Sequence, residues 1–147
     1  MIEIQNRKAK FDYEIIDTYE TGIVLTGTEI KSIRQGKANL KDSYCIIKNN
    51  DIYVLNMHIS SYDHGNIFNH EETRTRKLLM HKKEINKIKN NLELNGFTVI
   101  PLKLYFKGSF AKLLIGVAKG KHNYDKRETI KKRDQERELK KYIKKNI

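Results

Sequence analysis

Apolar and polar side chains alternate over much of residues 11–118, a pattern typical of half-buried β-strands. The first such run places Phe11, Tyr13 and Ile15 on one side, separated by acidic residues, and a second apolar run follows Gly22. Glycine is a frequent turn residue, so this segment predicts a hairpin that leads into a helix.

A short helix is predicted near residues 28–35, with Thr28 as its N-cap. Two strand-like runs follow, at residues 44–48 and 52–57, separated by Asn49-Asn50-Asp51. Asn and Asp tolerate the left-handed backbone of tight turns, so these runs predict an antiparallel hairpin.

The second half of the alternating region contains a loop, a helix and two further strands. Residues 60–73 have no period and are rich in Gly, Asn and Asp, which predicts a long surface loop. Residues 78–95 carry apolar side chains at helical spacing, so they predict the main helix. We expect this helix to cover a last hairpin, residues 97–106 and 110–118. About six short strands and few helices predict a mainly β fold, a small closed or partly open antiparallel barrel with flanking helices.

The last 29 residues have a different composition from the rest of the chain. Residues 119–147 contain 12 Lys or Arg, 5 Asp or Glu and only 6 apolar side chains, too few to bury a core. Glu and Lys four residues apart give this segment helical tendency. We therefore expect two parts: a barrel, residues 1–118, and a basic tail, residues 119–147, which is disordered when free and helical on a partner.

The charge of the chain indicates the class of partner. A net charge of +12 and a pI near 9.7 suit a nucleic acid, although an anionic membrane would attract the same charge. Membrane binding is less favoured because the apolar stripe of the tail is short and lacks Trp and Phe. No apolar run is long enough to span a bilayer and the first ten residues lack a secretory signal, so we expect a cytoplasmic protein.

The candidate catalytic residues do not form a recognisable set. Five histidines are spread along the chain, and only His64 and His70 have acidic neighbours in the loop. No spacing resembles a zinc site, so neither metal nor cofactor is predicted. The single cysteine, Cys45, lies in an apolar run that predicts a buried structural thiol. A ribonuclease using His64 and His70 and a general single-strand-binding barrel stay open as alternatives.

Basic residues fall into three groups that suit phosphate binding. The first, Asn6-Arg7-Lys8-Ala9-Lys10, is close in sequence to Tyr13. The second contains Arg74 and Arg76, which would lie on one side of an extended strand at a spacing suited to successive phosphates. The third is the tail, where Tyr124 could stack on a base beside Lys126 and Arg127.

Seven short motifs occur in order along the chain: Asn6-Arg7-Lys8-Ala9, Gly27-Thr28-Glu29-Ile30-Lys31-Ser32-Ile33-Arg34, Gly36-Lys37-Ala38-Asn39, Asp42-Ser43-Tyr44, Arg74-Thr75-Arg76-Lys77-Leu78-Leu79, Gly116-Val117-Ala118-Lys119-Gly120-Lys121 and Asp125-Lys126-Arg127. Together they resemble the SsrA-binding protein family, also called small protein B. The resemblance covers nearly the whole chain.

The resemblance implies an RNA-binding protein, not an enzyme, with an oligonucleotide-binding-like β-barrel. Its partner would be transfer-messenger RNA (tmRNA), delivered to stalled ribosomes in trans-translation. The barrel would hold the tRNA-like domain of the RNA, and the tail would become helical in the empty message channel of the small subunit. The resemblance further implies a monomer that meets elongation factor Tu through the shared RNA.

Matching positions imply two sets of binding residues. The set expected to face tmRNA is Asn6, Arg7, Lys8, Tyr13, Glu20, Gly22, Arg34, Asn39, Arg74, Arg76, Lys77 and Leu79. The set expected to face the ribosome is Lys119, Lys121, Tyr124, Asp125, Lys126, Arg127, Tyr142 and Ile143. Glu20 is unusual because a carboxylate can only accept from RNA, or else orient a neighbouring Lys or Arg.

Overall fold

The computed structural model describes residues 2–62 and 69–120. The elements of these residues are, in chain order, β1 (Glu3–Gln5), α1 (Ala9–Asp12), β2 (Tyr13–Ile23), α2 (Gly27–Arg34), β3 (Ala38–Asn39), β4 (Tyr44–Lys48), β5 (Asp51–Leu55), β6 (His58–Ile59), β7 (Arg76–Leu79), α3 (Lys82–Asn95), β8 (Thr98–Lys107) and β9 (Phe110–Gly120). The last strand ends at Gly120, so it includes the first two residues of the expected tail.

Six of these strands form a closed antiparallel barrel. They pair in the order β8, β4, β5, β7, β2 and β9, and β9 pairs with β8 to close the ring. One edge of β8 is shared, since Val99 pairs with β4 while residues 103–105 pair with β1. The predicted small antiparallel barrel of about six strands is confirmed. A separate short pair, β3 with β6, lies beside it.

The barrel interior is filled by aliphatic side chains from every strand of the ring. Val54, Val99 and Leu104 are among the fully buried residues. The helices contribute to the same core through Ile33 of α2 and through Ile85 and Ile88 of α3. Burial of these side chains from water supplies most of the driving force for folding. The main contacts of α3 are with β5 and not, as predicted, with the last hairpin.

Two bulges divide the outside of the barrel. The β2–β9 register shifts between Ile15 and Asp17, and the β8–β9 register shifts between Pro101 and Lys103. Each extra residue reverses which side chains point outward. Beyond the bulges, at the Ala118 end of β9, the outward side chains are apolar and form a second cluster with Ala9 of α1: Tyr13, Ile15, Ile100, Leu102 and Ala118.

Three of the predicted elements differ from the structure. Residues 13–23 form one continuous strand and not a hairpin, and Gly22 pairs with both neighbouring strands. The helix α2 is capped by Thr26 and not by Thr28, because Thr26 and Glu29 form a reciprocal capping box. The helix α3 begins at Lys82, since residues 76–79 alternate between buried and exposed as a strand.

The other turns agree with the sequence. The hairpin of β4 and β5 turns at Asn49 and Asn50, whose φ angles of 51° and 64° suit the tight turn predicted from their side chains. The last hairpin turns at Gly108, with φ of 63°. Cys45 is buried, and burial raises the pKa of its thiol, as expected for a structural residue.

The second cluster provides a test of the fold. A Cβ atom added at Gly116 would lie 2.9 Å from Leu102 Cδ1 and 3.2 Å from Ile15 Cγ2. We expect Gly116→Ala to lower the free energy of unfolding by about 1–3 kcal/mol, measured by urea denaturation, because it overpacks this cluster. The matched control is Gly27→Ala, since a Cβ at Gly27 meets nothing within 4 Å and should cause no loss. Equal stability of the two variants would contradict the packing.

Candidate nucleic-acid interface

The Glu29 carboxylate lies at the centre of a buried ion cluster. Glu29 is the third residue of α2, and its Oε1 accepts from the backbone N–H of Thr26 at 2.8 Å. The same oxygen accepts from a terminal nitrogen of Arg74 at 2.6 Å, while Oε2 accepts from Nε of Arg76. The carboxylate therefore joins the start of α2 to the segment that leads into β7.

Arg76 is fully buried, with no exposed side-chain surface. Besides Glu29, its guanidinium donates to the carbonyl oxygens of Met57 at 2.6 Å and Glu72 at 3.1 Å. Arg74 is one-third exposed and donates to the carbonyl oxygen of Val24 at 3.1 Å. The prediction that Arg76 contacts RNA is therefore wrong: Arg74 and Arg76 bind one carboxylate and do not present two phosphate sites.

Glu29 remains ionised despite its burial. Burial acts to raise its pKa, but hydrogen bonds from Arg74, the Thr26 amide and Arg76 outweigh that effect, so its pKa lies below the ordinary value. A lowered pKa in the folded state means that the charged group contributes stability at neutral pH, which is lost as the pH falls through that pKa.

A different set of side chains forms an exposed surface on the outside of β7, β2, β9 and β8. One row across these strands contains Leu79, Gly22, Lys112 and Tyr105, each directly opposite the next. The next row contains Glu20, Leu114 and Lys103, and it ends at Gln5 of β1. We call these two rows, together with Lys77 and Lys107, the strand face.

Gly22 and Leu79 form the apolar end of the strand face. Leu79 is 53% exposed. A Cβ at Gly22 would come within 3.2 Å of the Leu79 Cβ, so the absence of a side chain lets Leu79 lie close against β2. On the same strand as Leu79, Lys77 is exposed, with its Nζ 3.7 Å from a carboxylate oxygen of Asp51. An exposed apolar side chain beside cations can pack on a base or ribose.

Glu20 is the acidic residue within the strand face. Its Oε2 accepts from the hydroxyl of Tyr105, and its Oε1 lies 3.4 Å from Nζ of Lys107. The hydrogen bond from Tyr105 is the main cause that lowers the pKa of Glu20, with Lys107 and Lys112 adding to it. Lys107 is therefore a neighbouring cation that Glu20 could orient, which is one of the two roles expected of Glu20.

Tyr105 and Lys107 were missed in the sequence. Both alternate along β8 with the inward-pointing Leu104 and Phe106, so the strand pattern places them on the outside. That pattern did not reveal that they reach Glu20 across the intervening strand β9.

The residues after β1 form a second surface next to the strand face. Asn6, Arg7 and Lys8 line a shallow depression together with Asn39, and Gln5 and Lys41 complete it. We call this the terminal patch. Asn6 is held by its Nδ2, which donates to the Pro101 carbonyl oxygen at 2.9 Å. Because Gln5 belongs to both surfaces, the terminal patch continues the row that contains Glu20.

The two remaining residues expected to face tmRNA lie close to these surfaces. Tyr13 is half-buried in the second cluster, and burial, followed by Asp12 and Asp42, raises the pKa of its hydroxyl. Arg34 is exposed at the end of α2, with its guanidinium carbon 4.7 Å from the centre of the Phe106 ring. Of the twelve residues predicted to face RNA, eleven are thus on or near an accessible surface, and Arg76 is not.

Of the predicted ribosome-facing residues, Lys119 is the one within the described residues. Lys119 is exposed in β9, opposite Glu14. Lys121, Tyr124, Asp125, Lys126, Arg127, Tyr142 and Ile143 lie outside the described residues.

Two of the three histidines in the described residues, His58 and His70, have structural partners. His58 is 2.8 Å from Glu72, and His70 contacts the Thr28 hydroxyl at 2.9 Å and the Ile59 carbonyl oxygen at 2.8 Å. Within residues 2–62 and 69–120, no three His, Cys, Asp or Glu side chains lie together as metal ligands. In the same part of the chain no helix has the length and apolarity needed to cross a membrane. His64 lies outside the described residues.

Comparison with known proteins identifies the family. A family model described as SmpB protein matches residues 3–145. The chain belongs to the SmpB family. Relatives named SsrA-binding protein include those of Ligilactobacillus salivarius, 59% identical over 95% of this chain and 90% of the relative, and of Shouchella clausii, 57% identical over 97% and 92%.

A solved SmpB structure has the same fold. It is described as "tmRNA-SmpB: a journey to the center of the bacterial ribosome", with a TM-score of 0.72 and 42% sequence identity over 86% of this chain and 89% of that chain. In the present structure, two of the motifs that resemble the SmpB family meet at the buried ion cluster, since residues 27–34 form α2 and residues 74–79 contain both arginines.

The buried ion cluster provides the second test. We expect Arg76→Ala to lower the free energy of unfolding by about 3–5 kcal/mol in urea denaturation at neutral pH, because it leaves a buried carboxylate short of a partner. Lys77→Ala, the exposed neighbour on β7, should cost no more than about 1 kcal/mol. If the Arg76 variant were as stable as the Lys77 variant, Arg76 would not be the buried partner of Glu29.

Proposed function

We propose that this protein binds the tRNA-like domain of tmRNA and delivers it to stalled ribosomes in trans-translation. The observation that carries the proposal is membership of the SmpB family over residues 3–145, together with relatives named SsrA-binding protein. The neighbouring solved structure, whose description places tmRNA and SmpB in the bacterial ribosome, supports the same function.

The geometry of the barrel supports RNA as the ligand. The terminal patch and the strand face join through Gln5, and between them they expose the cations Arg7, Lys8, Lys77 and Lys107. Phosphate contacts by such cations supply affinity, whereas groups that meet bases or 2′-hydroxyls supply selectivity. Glu20 and Leu79 are the members of the strand face suited to the second task. We propose that the predicted RNA-facing residues other than Arg76 each serve one of these two tasks, phosphate binding or recognition of bases and 2′-hydroxyls.

Several narrower features complete the proposal. The protein would act in the cytoplasm as a monomer, bind RNA without catalysing a reaction, and approach elongation factor Tu through the shared RNA. The tail, residues 121–147 with Lys119 before it, would serve the ribosome and become helical in the message channel. Its family resemblance at Asp125-Lys126-Arg127 and its excess of positive charge support this assignment.

RNA binding should be selective and depend on the strand face. In a competition assay at near-physiological salt with excess bulk tRNA and single-stranded DNA, we expect the full-length protein to retain tmRNA. Glu20→Gln and Arg7→Ala should each weaken this binding roughly tenfold, as expected for the loss of a hydrogen bond to a charged group. Lys83→Ala, an exposed lysine on α3 outside both surfaces, is the matched control and should bind like the wild type.

Two outcomes would overturn this function. Complete displacement of tmRNA by the competitors would indicate a general nucleic-acid barrel, whose binding depends on salt more than on sequence. Degradation of RNA by the purified protein, abolished in a His64 or His70 variant, would indicate a nuclease.

The tail should act separately from the barrel. We expect replacement of both Lys126 and Arg127 by Ala to leave tmRNA affinity unchanged and to block tagging of incomplete peptides in a reconstituted translation reaction, since it removes two cations that would meet ribosomal RNA. The matched control is the pair Lys131→Ala and Lys132→Ala, which removes the same charge outside the motif and should retain more tagging. Equal loss of tmRNA affinity and tagging in the Lys126 and Arg127 variant would contradict two separate modules.

A further inference from the structure

Glu20 and Tyr105 meet although they lie on strands that are not adjacent in this part of the barrel. Glu20 on β2 is opposite Leu114 of β9, and Tyr105 on β8 is opposite Lys112 of β9. The Tyr105 hydroxyl reaches across β9 to donate to Oε2 of Glu20. The contact is a diagonal one, and the side chain of Tyr105 must lie along the strand face to make it.

Tyr105 is itself restrained from the opposite side. Nζ of Lys103 lies 5.0 Å from the centre of the Tyr105 ring, and the same nitrogen is 3.7 Å from a carboxylate oxygen of Glu3. Glu3 on β1 is directly opposite Tyr105. The contacts therefore run from Glu3 on β1, through Lys103 and Tyr105 on β8, to Glu20 on β2. They form a continuous series of charged and polar contacts that crosses β9.

We propose that Tyr105 is a positioning residue for RNA recognition, which holds the Glu20 carboxylate in one orientation so that its remaining lone pairs accept from a hydrogen-bond donor of the bound RNA. The inference rests on the proposed function of the strand face and adds a residue to it. The Tyr105 hydroxyl acts through Glu20 and need not touch the RNA itself.

The chemistry of a carboxylate supports this division of roles. An ionised carboxylate has about four acceptor sites, and Tyr105 occupies one of them. The weaker contact at 3.4 Å from Lys107 leaves Oε1 accessible. A glutamate side chain that is already ordered loses less conformational entropy when the RNA binds, so the hydrogen bond to Tyr105 raises affinity without a new protein–RNA contact.

The protonation states fix the direction of the hydrogen bond. Burial, followed by the hydrogen bond to Glu20, raises the pKa of Tyr105 to about 12. The pKa of Glu20 is lowered, chiefly by that same bond and then by Lys107 and Lys112. At physiological pH the tyrosine is therefore the donor and the glutamate the ionised acceptor.

The experiment is a double-mutant cycle in the full-length protein. Tyr105→Phe removes the hydroxyl and keeps the ring, Glu20→Gln removes the carboxylate, and the third protein carries both changes. The matched control is Tyr19→Phe, because the Tyr19 hydroxyl also donates to a carboxylate oxygen, of Asp17 at 3.1 Å, on the inward side of β2. Each protein is titrated with tmRNA at fixed salt and competitor, and the Glu20 carboxyl is followed by ¹³C NMR as the pH is lowered.

We expect Tyr105→Phe to weaken tmRNA binding several-fold to tenfold, the effect of losing one ordinary hydrogen bond, because the variant removes the restraint on Glu20 and keeps the carboxylate. Tyr19→Phe should leave tmRNA binding unchanged. The double variant should bind no more weakly than Glu20→Gln alone, because Tyr105 acts through the carboxylate. In Tyr105→Phe the midpoint of the Glu20 titration should rise toward its ordinary value, because the hydrogen bond that lowers it is lost. Tyr19→Phe should leave the Glu20 midpoint unchanged.

Three results would overturn the inference. The first is a Tyr105→Phe variant that binds like the wild type while Glu20→Gln is weakened. The second is additive losses in the double variant, which would place Tyr105 in direct contact with the RNA. The third is an unchanged Glu20 midpoint. Failure of the wild type to select tmRNA over the competitors would instead overturn the proposed function, and the Glu20 midpoint would still report whether Tyr105 bonds to Glu20.

Discussion

The arrangement of this protein depends on one buried carboxylate. Glu29 accepts from both Arg74 and Arg76, and Arg76 also binds the carbonyl oxygens of Met57 and Glu72. A charge removed from water is costly unless it is paired and hydrogen-bonded, so these groups can be buried only together. The cluster thereby fixes α2 against the start of β7 and leaves the outside of β7 to carry Lys77 and Leu79.

The bulges of β2 and β8 set the limit of the exposed surface. On one side of them the outward side chains, such as Ile15 and Ile100, are apolar and covered by the segment that contains α1. On the other side the outward side chains are those of the strand face. One extra residue in each strand reverses the alternation, so the same sheet is covered at one end and open at the other. The covering segment also supplies Asn6, Arg7 and Lys8, which is why the terminal patch adjoins the strand face.

The sequence could predict the features that depend on local chemistry. The Asn49-Asn50 turn, the last hairpin and the barrel of six strands follow from turn residues and alternation. The same residue types also predicted a hairpin at Gly22, because glycine is a frequent turn residue, whereas in the structure Gly22 lies within β2 and pairs with both neighbouring strands. The sequence also predicted that Arg76 contacts phosphate, because the local sequence does not distinguish a buried arginine from an exposed one until its partner is known. That partner, Glu29, is 47 residues away in the chain, and Tyr105 is 85 residues from Glu20, so neither pair has a local signal.

The position of Glu20 explains how a basic protein can be selective. Cations bind any phosphate backbone, and affinity gained in that way is shared among all RNAs. A carboxylate within such a surface repels phosphates, and this repulsion is offset only when the ligand places a hydrogen-bond donor against the carboxylate. Glu20 therefore disfavours wrong RNAs as well as favouring the right one. Glu20 can disfavour wrong RNAs only if its carboxylate cannot rotate away from the bound RNA. Tyr105 and Lys107, both on β8, restrict Glu20 by contacting its two carboxylate oxygens, and the barrel provides the rigid strands that carry all three residues.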